Sequence, residues 1–184
     1  MSSTSSYEPL PGPELSPGSR DGRLILGLDP GSRSTGYGLV LERSGILTLI
    51  ETGTIRPRGT NDLSQRLGEI FQGVSGVIQK YQPLAAAVED IFVARNTASA
   101  LKLGQARGAV LTACAQHGLP VHPYEPTLIK KSLVGVGRAG KEQVAFMVGQ
   151  LLGVRPDWAK DSSDALGAAI CHLNQQRLGR LQGM

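Results

Sequence analysis

The sequence predicts an α/β fold in which helices flank a mixed five-stranded sheet. Its first part contains three β-rich runs, RLILGLD, GYGLVLE and ILTLIETGTI, and a Ser44-Gly45 turn separates the second run from the third. Closely spaced runs joined by turn residues predict an antiparallel meander. Helix-like and strand-like segments then alternate along the chain, which is typical of a sheet covered by helices. These two observations together predict the fold class.

The segments after the meander predict a helix, a strand, a helix, a short strand and three further helices. Asp62 is the predicted N-cap of the first helix, which has apolar residues at helical spacing and ends near Tyr81. LAAAVED predicts the fourth strand, and ASALKLGQARGAVLTACAQ predicts the second helix. PVHPYE predicts a short fifth strand near a sheet edge, because a proline interrupts it. The last three helices are predicted from TLIKKSLVGVG, KEQVAFMVGQLLG and DSSDALGAAICHLNQQRL.

The composition predicts one domain with a tail. Residues 1–22 are rich in serine, proline and glycine, and we predict a disordered N-terminal extension there. We predict a single domain over residues 23–178 and a flexible C-terminal end over residues 179–184. No apolar run approaches the roughly 20 residues that span a bilayer, and no signal-peptide pattern is present. We therefore expect a cytoplasmic protein with no membrane partner and with reduced thiols at Cys114 and Cys171.

The charge distribution favours an anionic partner. The net charge is +4, and the first 22 residues contain one basic and three acidic side chains, which leaves +6 for residues 23–184. A basic domain behind a mildly acidic tail is a modest indication of nucleic-acid binding. A basic surface without such a partner remains the alternative on charge alone.

Four acids stand at positions that suit a site. Asp29 ends a strand of apolar residues, Glu89 ends the strand LAAAV, and Asp161 and Asp164 share one face of the last helix. If the first and fourth strands are neighbours, Asp29 and Glu89 meet at one sheet edge, where the last helix can bring its two aspartates. Four clustered carboxylates need a cation, and oxygen ligands favour Mg²⁺ or Mn²⁺. The alternatives are a helix-capping role for the two aspartates and a solvated strand end for Glu89.

The loop in GLDPGSRSTGYG has two interpretations. In one, its glycines with Ser32, Ser34 and Thr35 bind ATP phosphates, as in actin-like kinases with the pattern D-x-G-x-x-x-x-G. In the other, Asp29 is a metal ligand, and the glycines let the next strand turn back sharply. The second interpretation fits the length of the chain better, because actin-like enzymes need two lobes.

The sequence resembles the RuvC family of Holliday junction resolvases over about residues 24–175. The matching stretches are GLDPGSRSTGYG, VEDIFVARNTASALKLGQARG, LVGVGRAGKEQV and DSSDALGAAI, in this order. The resemblance implies a ribonuclease H-like fold, a homodimer, and paired symmetric nicks in opposed strands of a four-way DNA junction. It also implies two Mg²⁺ ions per subunit, with Mn²⁺ as a substitute, and a partnership with the branch-migration motor complex RuvA–RuvB.

The resemblance assigns roles to individual residues. The catalytic and metal-binding positions are Asp29, Glu89, Asp161 and Asp164, and all four carry acids. Some relatives have histidine at the position of Asp161. The intact set argues against a module that binds junctions without cutting them, and ALKLGQARG argues against the related branch that processes ribosomal RNA precursors.

The resemblance also implies contacts with DNA. Phe92 matches an aromatic that stacks on or wedges between bases, with packing on the core as the alternative. Lys130 and Lys141 match lysines that suit phosphates or transition-state charge. Arg95, Lys131 and Arg138 are further candidates for DNA contacts, or ordinary solvated side chains. We expect the three histidines to be structural or exposed, and Tyr37 and Trp158 to be packing residues.

The second predicted helix has small residues that suit close packing. Ala98, Gly104 and Gly108 would permit a dimer contact there, and packing inside the domain is the alternative explanation.

Overall fold

The structure is a computed structural model that describes residues 22–58, 62–90 and 97–182. The described residues form five strands and five helices. The order along the chain is β1 (Arg23–Asp29), β2 (Thr35–Arg43), β3 (Ile46–Ile55), α1 (Leu63–Tyr81), β4 (Ala85–Glu89), α2 (Thr97–Gln116), β5 (Val121–Tyr124), α3 (Pro126–Val134), α4 (Lys141–Leu152) and α5 (Lys160–Gln182).

The sheet is mixed and has the strand order β3-β2-β1-β4-β5. β1 pairs antiparallel with β2, and β2 pairs antiparallel with β3, so the predicted meander is confirmed. β4 runs parallel to both β1 and β5, and β5 is a four-residue edge strand as its proline predicted. The parallel pairing of β1 with β4 brings the carboxyl ends of these two strands to the same sheet edge.

Helices cover both faces of the sheet. Along β1, Leu24, Leu26 and Leu28 face a core formed with α1 and α2. Ile25 faces a second core, formed with α3, α4 and α5. This alternation follows from the two-residue period of a strand. The central strand β1 is therefore apolar on both faces, and its carboxyl end carries the partly buried Asp29.

Three glycines let α5 lie directly on the sheet. A Cβ atom on Gly27 of β1 would stand 1.8 Å from the carbonyl oxygen of Ala165, and one on Gly36 of β2 would stand 2.1 Å from the carbonyl oxygen of Asp161. The expected sharp turn is confirmed at Gly31, where a Cβ atom would stand 2.2 Å from the carbonyl oxygen of Ser34, but the expectation is wrong for the glycines of β2. Gly36 and Gly38 are strand residues without positive φ, and α5 fills the space beside them.

The helix boundaries agree with the predicted signals, except at the C-terminus. Asp62 caps α1 as predicted, because its side chain accepts a hydrogen bond from the backbone N–H of Ser64 at 2.8 Å. α5 continues through Gln182, so the domain boundary predicted at residue 178 falls inside this helix. Among the helices within the described ranges, none is long and apolar enough to cross a membrane.

Candidate active site

Two of the predicted acids end neighbouring parallel strands. Asp29 is the last residue of β1 and Glu89 is the last residue of β4. The register pairs Leu28 with Val88, so the two acids follow matched positions and lie at the same sheet edge. In an open α/β sheet, the carboxyl ends of the strands are where ligands gather. The predicted meeting of Asp29 with Glu89 is confirmed.

The last helix brings the other two acids to this edge. Asp161 lies in the first turn of α5, and Asp164 follows one turn later. Gly36 pairs with Asp29 across the β1–β2 ladder, and the backbone of Asp161 packs directly on Gly36. The absence of a side chain on Gly36 therefore sets how closely Asp161 approaches Asp29.

The pKa values of Asp29 and Glu89 show that the four carboxylates repel one another electrostatically. Burial, followed by the negative charges of Glu89, Asp164 and Asp161, raises the pKa of Asp29 to about 8. Burial and then Asp164 raise the pKa of Glu89 to about 7, although the ammonium groups of Lys141 and Lys130 oppose this rise. The chain alone therefore leaves the negative charge of the site only partly compensated.

Two of the acids have a hydrogen-bond donor from the chain. The hydroxyl of Ser34 donates to Oδ2 of Asp161 at 2.6 Å. The ammonium of Lys141 donates to Oδ2 of Asp164 at 3.0 Å, and the Lys141 side chain is 66% exposed. Asp161 is thus held by a neutral hydroxyl, whereas Asp164 is held by the cationic end of a long, largely exposed side chain.

The loop between β1 and β2 is closed on itself. The hydroxyl of Thr35 donates to the carbonyl of Gly31, and the guanidinium of Arg66 on α1 donates to the carbonyl of Ser32. The hydroxyls of Ser34 and Thr35 are therefore engaged inside the protein. This arrangement favours a metal-ligand role for Asp29 over the phosphate-binding interpretation of the loop.

The donor set fits a hard divalent cation. All four side chains offer carboxylate oxygens, the ligands that Mg²⁺ and Mn²⁺ prefer, and the raised pKa values of Asp29 and Glu89 indicate negative charge that a cation would relieve. Within residues 22–58, 62–90 and 97–182, no three acidic, histidine or cysteine side chains already enclose a metal position.

The predicted basic residues divide into two groups. Lys130 on α3 and Lys141 at the start of α4 lie close enough to Glu89 to lower its pKa, so the structure brings both to the acids. Arg138 is exposed, three residues before Lys141. Lys131 instead lines a groove between α3 and the later part of α5, beside Leu178. Phe92 and Arg95 lie outside the described residues.

The residues predicted to be structural are structural. Trp158 is half-buried against the α5 side of the sheet and donates from Nε1 to the hydroxyl of Ser163 at 2.8 Å, and Tyr37 packs on the opposite core. His172 is buried, and its Nδ1 lies 2.7 Å from the hydroxyl of Tyr124. Burial, helped by His122 and Arg23, lowers the pKa of His172 to about 4, so this ring is neutral.

Two residues of the site were not predicted in their roles. Ser34 contacts an acid that lies 127 positions away in the sequence, and Arg66 reaches the β1–β2 loop from α1. No spacing within the sequence signals either contact, because both arise only when distant elements pack together.

Comparisons with known proteins identify relatives of this chain. The family model described as "Crossover junction endodeoxyribonuclease RuvC" matches residues 25–172. Proteins of that name from Nitratidesulfovibrio vulgaris (strain Hildenborough) and Oleidesulfovibrio alaskensis are 59% and 61% identical to this chain over 160 residues, which are 87% of this chain and 96% of each relative. The chain belongs to the RuvC family.

Solved structures of resolvases share the fold. RuvC from Thermus thermophilus in complex with a Holliday junction substrate has a TM-score of 0.79 and 34% identity, and the match covers 85% of this chain and 96% of that one. The yeast mitochondrial Holliday junction resolvase Ydc2 has a TM-score of 0.64 at 12% identity, with coverage of 84% and 79%, and is alike in fold alone. The ribonuclease H-like fold expected for a RuvC protein is confirmed.

Proposed function

We propose that this protein is a structure-specific endonuclease that resolves Holliday junctions by paired symmetric nicks in opposed strands, in recombination and DNA repair. The observation that carries the proposal is the meeting of Asp29, Glu89, Asp161 and Asp164 at one sheet edge. The relatives named as crossover junction endodeoxyribonucleases, and the Thermus thermophilus RuvC solved with its junction, support this activity.

We propose that the four acids hold two Mg²⁺ ions per subunit, with Mn²⁺ as a substitute. Bound ions would supply Lewis acidity, which acidifies an attacking water and stabilises the departing 3′ oxygen. The chain itself would hold the four carboxylates on β1, β4 and α5, where they are poorly solvated. A bound cation would displace their protons and relieve their mutual repulsion. The products would be a 5′-phosphate and a 3′-hydroxyl, which a ligase can seal.

Lys130 and Lys141 supply positive charge beside the acids in this proposal. Both lower the pKa of Glu89, so both ammonium groups lie close enough to interact electrostatically with this acid. Lys141 is largely exposed and has a long side chain, which can turn from Asp164 to a phosphate of the DNA. We assign phosphate contacts to these two lysines. Phe92, Arg95, Lys131 and Arg138 remain predicted DNA contacts from the resemblance.

We propose a homodimer, because a junction with two-fold symmetry needs two equivalent sites. α2 supports this assembly. Leu101 on this helix is 65% exposed, and a Cβ atom added at Gly104 or Gly108 would meet no other atom within 4 Å. Packing inside the domain therefore does not explain these two glycines. A second copy of the chain would cover this face of α2.

Two further parts of the proposal concern the setting of the reaction. We place the activity in the cytoplasm, since Cys114 and Cys171 are free and buried, as expected in a reducing compartment. The partnership with the branch-migration motor RuvA–RuvB follows from family membership and is proposed on that ground.

The deciding experiment incubates the purified full chain with a mobile four-way junction in Mg²⁺, Mn²⁺ or EDTA. We expect paired symmetric nicks with either ion, none in EDTA, and binding without cutting for Asp29→Asn. Normal cutting by Asp29→Asn would overturn the assignment of the site. Equal cutting of simple duplex DNA would overturn the resolvase assignment.

A further inference from the structure

Ser34 makes a short hydrogen bond to a carboxylate of the site. Its hydroxyl lies 2.6 Å from Oδ2 of Asp161, within the range of hydrogen bonds that an O–H group makes to a charged carboxylate. Both side chains are half-buried, so water competes weakly for this contact. The bond joins the loop after β1 to the first turn of α5.

The chain holds Ser34 in place from two directions. On one side, hydrogen bonds fix the loop. The hydroxyl of Thr35 bonds with the backbone N–H and carbonyl of Gly31, and the guanidinium of Arg66 donates to the carbonyl of Ser32. On the other side, Gly36 lies against the backbone of Asp161. Ser34 stands between these two attachments, so its hydroxyl is presented to Asp161 with little freedom to move.

The chemistry of this donor differs from that of the donor to Asp164. The ammonium of Lys141 cancels the charge of Asp164 as long as the two groups remain paired. A serine hydroxyl orients a carboxylate and engages one oxygen, but it leaves the negative charge and the remaining lone pairs available. The carboxylate of Asp161 is therefore held in one orientation and is still able to bind a cation.

We propose that Ser34 is a positioning residue for divalent-ion binding, acting by holding the Asp161 carboxylate in one orientation beside Asp29. The inference rests on the proposed function only in that it assigns the ion to the same four acids. Donors that hold the ligands of a metal site change metal affinity or activity by about 10–100-fold when removed.

The test uses Ser34→Thr and Ser34→Val, which introduce side chains of the same shape with and without a hydroxyl. Mn²⁺ binding to the full chain without DNA is measured by isothermal titration calorimetry. We expect Ser34→Val to weaken Mn²⁺ binding by at least about 10-fold, whereas Ser34→Thr stays within about threefold of the wild type. Ser34→Ala, which adds no atoms, should behave like Ser34→Val.

A second measurement separates positioning from a general structural defect. In junction cutting, we expect higher Mg²⁺ concentrations to restore the rate of Ser34→Val, while junction affinity in EDTA stays at the wild-type value. Equal Mn²⁺ affinity for the Val and Thr variants, whether high or low, would overturn the proposal. If the wild type binds Mn²⁺ but cuts no junction, the proposed function fails, and the calorimetric comparison still decides the role of Ser34.

Discussion

Asp29 is a residue whose charge opposes folding when no cation is bound. Its pKa rises from the ordinary 3.8 to about 8, chiefly through burial and then through Glu89, Asp164 and Asp161. Folding therefore favours the protonated form of this acid. The corresponding stabilisation is complete below the unfolded-state pKa near 4 and is lost as the pH rises through about 8.

Replacing this acid by its neutral amide should stabilise the metal-free protein at high pH. We expect Asp29→Asn to raise the free energy of unfolding at pH 8 by on the order of 2 kcal/mol, after allowing for solvent screening, or about 4–8 °C in Tm. The gain should vanish at pH 4. Thermal unfolding in EDTA at both pH values measures it, with the exposed Asp157→Asn as the control that should change little.

Ion binding should compete with protons at the same residues. Because the pKa values of Asp29 and Glu89 are about 8 and 7, both acids are partly protonated near neutral pH before an ion binds. We expect Mn²⁺ affinity to fall as the pH is lowered from 8 to 6, with release of protons on binding. Calorimetry in two buffers of different ionisation enthalpy measures this release. An affinity that is independent of pH would contradict the raised pKa values.

The acids could be predicted from sequence, whereas their donors could not. Asp29 and Glu89 end apolar runs, and Asp161 and Asp164 share a helix face, so each signal lies within a few neighbouring residues. Ser34 gains its role only through a contact with a residue 127 positions away. Local patterns report which side chains leave the core, and they carry no information about which side chains then meet.

At the scale of elements, α5 depends on glycines in the strands beneath it. It lies across β1 and β2 where Gly27, Gly36 and Gly38 have no side chains, and it carries two of the four acids. The alternation of helices and strands correctly predicted each element and the mixed sheet. It did not predict the purpose of these glycines, because the same residues also suit a turn, and only the packed helix distinguishes the two uses.

A side chain on the central strand should separate α5 from the sheet. In Gly27→Ala, the new Cβ would stand 1.8 Å from the backbone oxygen of Ala165, and neither backbone can move without loss of packing. We expect a loss of about 3 kcal/mol or more in the free energy of unfolding, measured by urea denaturation. Gly76→Ala on α1 is the matched control.

The control should move stability in the opposite direction. Gly76 is an exposed helical residue, and a Cβ atom there would meet nothing within 4 Å. Alanine at this position should stabilise the protein by about 0.5–1 kcal/mol, because it restricts the unfolded chain. Similar effects of the two substitutions would show that α5 does not rely on Gly27.

At the scale of the whole molecule, α2 should form the contact between two copies. We expect Leu101→Asp to convert the dimer to a monomer in analytical ultracentrifugation, because it places a charge on the exposed apolar residue of the proposed interface. Paired nicking should then become single nicking at a lower rate. Phe146→Asp on α4, where the native side chain is 61% exposed, is the control and should leave the dimer intact. A dimeric Leu101→Asp protein would exclude α2 from the interface.

The net charge of +6 on residues 23–184 should make junction binding strongly dependent on salt. Each phosphate contact releases counterions, so a binding surface with about six contacts loses roughly a thousandfold in affinity between 50 and 200 mM salt. We expect Lys130→Gln, measured with the junction in EDTA, to reduce the slope of log K against log salt by about one. The acids lie at the carboxyl ends of β1 and β4. Lys80 lies at the end of α1, close to where β4 begins, and therefore near the opposite end of these strands. Lys80→Gln should therefore leave the slope unchanged, and an unchanged slope for Lys130→Gln would mean that Lys130 does not contact a phosphate of the DNA.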